Sequence, residues 1–502
     1  MSKTSLCASL LSVCLSLGCL FGDEAAQLCS GVSRINAPGL PGPVSPFGPD
    51  AFAVAVGKQG NARLPLVAAT RFGQGRAMAF GKGEFFDAGA LADGDNAVFM
   101  ANCLVWAAAK DQPVVGVIGN EAFAAALRER GMDVRDIGLD EIEAVDVIVT
   151  RTTRLAPDQV APLRAAVEKG RGLLVGDLGW GWLQLNPGKT LAEDHAGNRL
   201  FAPMGIVWLD GTLERTTADG KAYDTVESLP AHTNASQALA AVLAQHAGTA
   251  PVADADRAQI SALLAATAQA LPGTDTILLP RFRALAADST VNTVPTPQNP
   301  IRERDLLPRL ILTMQLRELA KQAPENVTAH PAAATFPGLV PAGAERVERE
   351  VTVRPAIPGW ASTGLYAAPG EVVTLRFPET VAKQGYRIRL GSTHCRLWGK
   401  DEWSRAPDVV REFPVNAPGV KVASPFGGLL YVIVPDGAAG EPFPVAIANA
   451  VPAPYFKAGE TDLAAWRETI RHLPAPRAEV ASDKIVLTVP AEFVRELDDP
   501  LP

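Results

Sequence analysis

Leu173-Leu174-Val175-Gly176-Asp177-Leu178-Gly179-Trp180 is a short apolar run that stops at a glycine and a carboxylate. Apolar residues without polar alternation describe a strand covered on both faces. Just upstream, Pro157 is placed to start a helix running to Lys169, and Gly170 ends it. Before that comes Val145–Thr150, a second apolar strand. Further back, Asn120 can cap a helix Glu121–Arg130 that Gly131 ends, and Val114–Ile118 reads as a third strand closed by Gly119. Asp95–Ala109 reads as a buried helix. Phe52–Val56 and Leu64–Arg71 read as strands, and Gly73-Gln74-Gly75 turns the chain into Arg76–Phe80. Strands alternating with helices imply a mostly parallel sheet.

This pattern predicts a flavodoxin-like or amidotransferase-like three-layer α/β domain over residues 48–215. Residues 225–330 read as a helical segment, with Ala/Leu-rich helices at Ser236–His246 and Asp256–Leu271 and a third at Pro308–Gln322, where Leu310, Ile311, Met314 and Leu319 are available for a core face. Residues 331–345, rich in Ala, Pro and Gly, read as a linker. From 346 the period becomes two. Arg349–Arg354, Val372–Phe377, Tyr386–Leu390, Val409–Val415, Leu429–Val434 and Pro444–Ile447 are short strands between turn signals, so 346–459 is expected to be a β-sandwich. In 460–502, Thr461 is placed to cap a helix Asp462–Arg471, Lys484–Val489 reads as a strand and Glu492–Leu497 as a helix start. This is the beginning of a further αβ unit.

The chain has 502 residues, enough for about three domains. Lys and Arg total 46 against 54 for Asp and Glu, a net charge of −8. That balance argues against a nucleic-acid backbone binder and against a polybasic membrane-surface protein. Lys3 followed by the uncharged run Ser5–Phe21 has the shape of a secretory signal, taken as residues 1–26. Ser16-Leu17-Gly18-Cys19 resembles a bacterial lipoprotein cleavage box, and Ala25-Ala26 is the simple-cleavage alternative. The expected location is therefore outside the cytoplasm: secreted, periplasmic or a lipoprotein at the cell surface. Contact with a membrane is expected only through an N-terminal lipid anchor. Beyond the signal only Cys29, Cys103 and Cys395 remain, which make neither a disulfide framework nor a zinc knuckle.

Several catalytic motifs fail. A zinc-peptidase helix needs two His four apart with Glu after the first. The six His, at 195, 232, 246, 330, 394 and 472, satisfy neither condition. Gly188-Lys189-Thr190 lacks the earlier glycine of a phosphate loop, where Leu183 stands, and Gly73-Gln74-Gly75 has Met78 at the third glycine position of a dinucleotide fingerprint. No Gly-x-Ser-x-Gly elbow occurs. An amidotransferase nucleophile would be a Cys after a central strand, and the turn after Val175 has none. Ligands of open α/β sheets sit at the carboxyl ends of strands, so Asp177, Trp180 and Trp182 are placed for a site there, the alternative being a structural aromatic loop. His394-Cys395 would point to opposite faces of a strand and would not converge on a metal. Trp360, Trp398 and Trp403 are candidates for an aromatic platform for sugar rings, with core packing as the competing role.

Ser362-Thr363-Gly364-Leu365-Tyr366-Ala367-Ala368-Pro369-Gly370-Glu371 resembles the opening strand and turn of the enhancin-like zinc metallopeptidases, peptidase family M-sixty. The resemblance continues through Arg387–Gly391, Trp403-Ser404-Arg405-Ala406-Pro407, Phe426-Gly427-Gly428-Leu429-Leu430-Tyr431, Ala453-Pro454-Tyr455-Phe456, Trp466, Ala478-Glu479 and Ile485–Pro490. Phe72-Gly73-Gln74-Gly75-Arg76 and Gly179-Trp180-Gly181-Trp182-Leu183-Gln184 resemble the α/β domain of the animal channel-associated factors. The family resemblance implies secretion, zinc and the cleavage of mucin-like glycoproteins. Its His-Glu-x-x-His helix lies beyond the segment that resembles Lys484–Leu497, so no catalytic residue and no metal ligand is carried over. The expectation is a family member without peptidase activity or bound zinc, zinc belonging only to a further C-terminal catalytic part, with an extracellular glycoprotein or mucin as partner. The alternative is an α/β regulatory or protein-interaction module like the channel-associated factors. An enzyme working through the α/β domain is a third class, weakened by the missing nucleophile.

Overall fold

A computed structural model describes residues 24–155, 159–225, 229–287 and 290–500. The expected signal, apart from its last residues, and the Pro157 helix start lie outside the described residues. The chain divides into two compact units, 1–291 with 304–314, and 292–303 with 315–502.

In the first unit, β1 (Val44–Pro46) is followed by β2 (Ala51–Gln59), β3 (Ala62–Phe72) and β4 (Gly75–Phe80), a run of antiparallel hairpins. Then come α1 (Asn96–Ala108), β5 (Val115–Val117), α2 (Glu121–Arg128), β6 (Val134–Asp136), β7 (Val147–Arg151), α3 (Val160–Glu168) and β8 (Gly172–Gly176). The sequence expectation places a cap at Asn120, and its Oδ1 does accept the Phe123 N–H. After β8 follow α4 (Gly179–Leu185), α5 (Ala196–Phe201), β9 (Ile206–Trp208) and β10 (Asp224–Thr225).

One eight-stranded sheet runs β10-β2-β3-β4-β8-β7-β5-β6. From β4 to β6 neighbouring strands are parallel, and β3, β2 and β10 extend the sheet in antiparallel fashion. The fold is therefore mixed α/β, with three antiparallel strands that a flavodoxin-like sheet does not contain. Alternate residues of β4 enter two cores. Met78 and Phe80 pack with Phe99 and Phe123 of α1 and α2, whereas Ala77 and Ala79 pack with Leu163, Val167, Leu200 and Phe201 of α3 and α5. That alternation is the period of two of a strand, and it gives three layers.

The turn between β3 and β4 explains a quoted motif. A Cβ on Gly75 would lie 2.3 Å from the Val167 carbonyl oxygen, so only glycine fits there. Cys103 is fully buried, and burial pushes its thiol pKa well up, as expected of a small core residue.

Helices α6 (Ala235–His246), α7 (Asp254–Ala270), α8 (Leu279–Ala286) and the first residues of α9 (Leu306–Lys321) share the core of the sheet. Leu239, Val242, Ile260, Leu263, Phe282 and Ile311 belong to the same cluster as Leu64, Leu66 and Phe80. Asn234 caps α6 through its Oδ1, and its Nδ2 donates to the Gly48 and Ala51 carbonyls at 3.0 and 2.9 Å. That amide is thus a buried tie between α6 and the start of β2.

The second unit carries β11 (Ile301–Arg302), β12 (Val347–Val353), β13 (Gly359–Ala367), β14 (Val373–Arg376), β15 (Arg387–Leu390), β16 (Glu402–Trp403), β17 (Arg411–Pro414), β18 (Gly419–Val422), β19 (Gly428–Val434) and β20 (Phe443–Pro452). Apart from the short β11–β16 pair, these strands form an all-β domain. One sheet contains β17-β15-β19-β13, the other β12, β14 and β18, and β20 serves both. Its residues 443–448 and 450 pair with β12 or β14, and its residues 451–452 with β13. Asn449, which the β12 ladder skips just before the changeover, has φ 65, a left-handed conformation that asparagine tolerates better than most residues.

The expected linker is partly ordered, for Ala332 and Ala333 are buried and His330 Nδ1 accepts the Ala332 N–H. Beyond the sandwich lies a small sheet of β21 (Tyr455–Lys457), β22 (Arg477–Ala481) and β23 (Val486–Pro490) with helices α10 (Leu463–Glu468) and α11 (Ala491–Arg495). Asp462, not Thr461, caps α10. Its carboxylate accepts the Ala465 N–H at 2.8 Å, while the Thr461 hydroxyl accepts the Lys457 N–H.

Candidate functional site

Asp177 follows Gly176, so it stands at the carboxyl end of β8, as the sequence reading places it. It is buried, and both its oxygens are engaged. Oδ1 accepts the Leu178 N–H at 2.6 Å, and Oδ2 meets His195 Nε2 at 2.6 Å. His195 is fully buried and caps α5, its Nδ1 accepting the Asn198 N–H at 3.2 Å. An acceptor at Nδ1 leaves the imidazole proton on Nε2, where it donates to Asp177. Around this pair Asn198 donates to the Trp208 and Ala270 carbonyls and accepts from the Trp208 N–H, and Trp208 Nε1 donates to the Phe80 carbonyl. The rings of Trp182 and Trp208 stand edge-on to His195 at 5.3 and 5.9 Å.

The arrangement has the Asp-His half of a hydrolytic triad without its chemistry. A general base needs a free ring nitrogen facing a nucleophile. Here one nitrogen donates to the carboxylate and the other accepts a backbone amide. The cluster ties the segment after β8 to the sheet. Trp182 joins it; Trp180 lies beside Gly42, and its buried Nε1 has no hydrogen-bond partner among the described residues.

In the β-rich unit, Trp403 is 1% exposed and meets Trp398 edge to face, at 5.5 Å and 90°. Trp403 thus has no free face to offer a sugar ring, whereas Trp398 is half-buried. Trp360 is stacked on His394 at 4.3 Å and 13°, and the Arg389 guanidinium lies over its ring at 4.0 Å. Arg389 is held in turn by Glu412 and by the Gly391 and Thr393 carbonyls. His394 and Cys395 are both exposed.

A buried carboxyl, Glu479 of β22, accepts from the Tyr431 hydroxyl at 2.9 Å and from the Ser362 hydroxyl at 3.1 Å. Burial pushes the Glu479 pKa up, and burial together with the nearby Glu479 charge raises that of Tyr431. The sequence reading touched Glu479 only within a resemblance, because nothing local marks a strand glutamate as buried.

A zinc centre needs three or four convergent donors. Among the described residues no group of three His, Cys, Asp or Glu side chains is placed to hold a metal ion, so these residues do not fit zinc.

Residues 342–448 match the family described as the N-terminal domain of M60-like peptidases, and 449–501 match peptidase M60, enhancin and enhancin-like. The end of this chain resembles M60-like peptidases. The M60-like match takes in the Trp360 and Glu479 clusters, whereas residues 4–223, which contain the Asp177 cluster, match a family described as TRPM8, N-terminal domain.

Similar curated proteins are a TRPM8 channel-associated factor homolog of Danio rerio, 28% identical over 97% of this chain and 52% of its own length, and TRPM8 channel-associated factor 2 of Bos taurus, 29% identical over 96% and 52%. The chain spans about half the length of these relatives. Among solved structures, IMPa from Pseudomonas aeruginosa in complex with an O-glycopeptide is 17% identical, with a TM-score of 0.47 over 96% of this chain and 60% of that one.

Proposed function

We propose that this chain is a target-recognising stretch of an exported M60-like protein, that it does not cleave peptide bonds or bind zinc by itself, and that its target is an extracellular glycoprotein of mucin type. The observation that carries the reading is the M60-like match over 342–501 in a region whose described residues bring no zinc donors together. The glycoprotein target rests on the enhancin-like resemblance, and export rests on Lys3 and the run Ser5–Phe21. The test uses the intact chain on immobilised mucin and in a casein or mucin cleavage assay with added zinc. Retention without cleavage is expected, and Trp398→Ala should weaken retention if that half-buried ring touches sugar. Passage of the intact chain straight through the column defeats the binding role, and cleavage abolished by a chelator defeats the inert one.

A second reading has its own support. The likeness to the channel-associated factors extends over 97% of the chain, both units included. On that reading the chain is a protein-interaction module whose partner is a membrane channel. Co-sedimentation with TRPM8-bearing vesicles, but not with channel-free ones, would favour it over the glycoprotein reading.

A further inference from the structure

We infer that the first unit binds a small monocarboxylate with an apolar body, in a cavity where the strand order of the parallel part of the sheet reverses. The sheet order β8-β7-β5-β6 means that the chain leaves β5 for β6 on one side and resumes at β7 on the other. The helices that follow these two strands go to opposite faces: Phe123 of α2 lies in one core and Leu163 of α3 in the other. At such a point the two connections diverge and leave a crevice beyond the carboxyl ends of the strands, the place where open α/β sheets take ligands.

The crevice is present as a cavity of about 210 Å³. Gly119 and Asn120 line it from the end of β5, Thr150 and Arg151 from the end of β7, and the rings of Phe86 and Phe123, 5.6 Å apart, supply apolar wall.

The polar groups define the ligand's charge. Arg151 is the one cationic side chain among the residues lining the cavity. Its Nη2 is paired with Asp87 at 2.5 Å, and its buried Nε has no hydrogen-bond partner among the described residues. A buried guanidinium N–H without an acceptor is rare in folded proteins and calls for an oxygen. Asn120 cannot provide it, since its Oδ1 accepts the Phe123 N–H and its Nδ2 donates to the Phe86 carbonyl. Asp87 already balances the arginine, so a single added negative charge is favoured over a dianion such as phosphate. A cavity of about 210 Å³ is on the scale of a small acid rather than a nucleotide. The amides at the start of α2 face the same end of β5 and add weak positive potential, but Arg151 and the cavity carry the assignment.

Benzoate is the probe, benzamide its uncharged counterpart and inorganic phosphate the dianionic one. Titrated into the intact chain, benzoate should bind with a millimolar or lower Kd and shift the Arg151 Nε–H resonance, and both benzamide and phosphate should bind at least about tenfold more weakly. Arg151→Gln should weaken benzoate about tenfold while the melting temperature stays near that of the parent. Arg151→Lys, which keeps the charge but lacks the Nε–H, should fall between the two. No benzoate binding at about 10 mM overturns the inference, as does undiminished binding by a folded Arg151→Gln. Tighter binding of phosphate than of benzoate overturns the choice of ligand. If Arg151→Gln does not fold, an unmoved Nε–H resonance in the parent overturns the assignment without it.

Discussion

Replacing Asp177 by asparagine keeps the size of the side chain and exchanges one acceptor oxygen for an amino group. The parent carboxylate accepts two protons, from Leu178 N–H and from His195 Nε2–H. Asparagine has one oxygen for the two. If the oxygen faces the imidazole, the amino group meets the Leu178 N–H; if it faces Leu178, the amino group meets Nε2–H. Moving the imidazole proton to Nδ1 relieves the second clash but sets Nδ1–H against the Asn198 N–H. Every arrangement strands two donors against each other in a site closed to water. At about 1–3 kcal/mol for each buried donor left unsatisfied, the loss for the two is about 2–6 kcal/mol. For a unit of this size roughly 2 °C of melting temperature goes with each kcal/mol, so calorimetry of the intact chain should show its transition fall by about 4–12 °C. Asp136→Asn, whose pairing with Arg128 is exposed on both sides, should cost less than about 0.5 kcal/mol. A fall of under about 1 °C for Asp177→Asn would refute the tautomer argument and, with it, the reading of the cluster as a fully engaged clamp.

Glu479→Gln keeps an acceptor for the Tyr431 hydroxyl and cannot ionise. Because burial raises the Glu479 pKa above 4.5, the parent's folded state holds a proton that its unfolded state releases. The parent therefore loses stability as pH rises from about 4.5 through the raised folded value. The variant should melt at or above the parent temperature at pH 7, with the gap closing below pH 4.5, and a lower melting temperature at pH 7 would contradict this. His330 is the opposite case: burial lowers its pKa from 6.5 to about 4. The unfolded chain takes up that proton first, so stability is fully present above 6.5 and declines as pH falls towards about 4, by roughly 3 kcal/mol. His330→Asn retains a cap acceptor, and urea titrations at pH 7 and pH 4 should show that decline reduced; an unchanged pH dependence would count against it. Gly75→Ala would press a Cβ to within 2.4 Å of two carbonyl oxygens and should lower the urea midpoint by the equivalent of about 2 kcal/mol or more, whereas Gly399→Ala meets nothing within 4 Å and should be close to neutral.

The strands and helices from Ala51 to Gly176 were legible because glycine, asparagine or a change of period marks almost every boundary. β6 was not: it has three residues, of which only Val134 is buried, and a strand that short leaves no period to read. β13, which only a family resemblance marked as a strand, escaped the period of two for another reason. Its ladder is broken between Ser362 and Tyr366, where Gly364 has φ 65, so Ser362-Thr363-Gly364 reads as a turn. The helices Ala235–His246 and Asp254–Ala270 were visible and Leu279–Ala286 was not, and Ala/Leu composition does not say which core a helix joins. The place of Asp177 was visible too. Its partner lies 18 residues away on another element, and such a pairing exists only in three dimensions. Arg151 could have been noticed as the charged residue ending an apolar strand, although its position beside the β5 end depends on the strand order.

Strand β20, bent at Asn449, has a mechanical consequence. Two sheets held only by side-chain packing can slide past each other under load. Here one continuous backbone is stitched by ladder bonds into both, so shear along the sandwich must strip hydrogen bonds as well as apolar contacts. A force applied across this region should therefore meet a single abrupt yield point rather than gradual slippage.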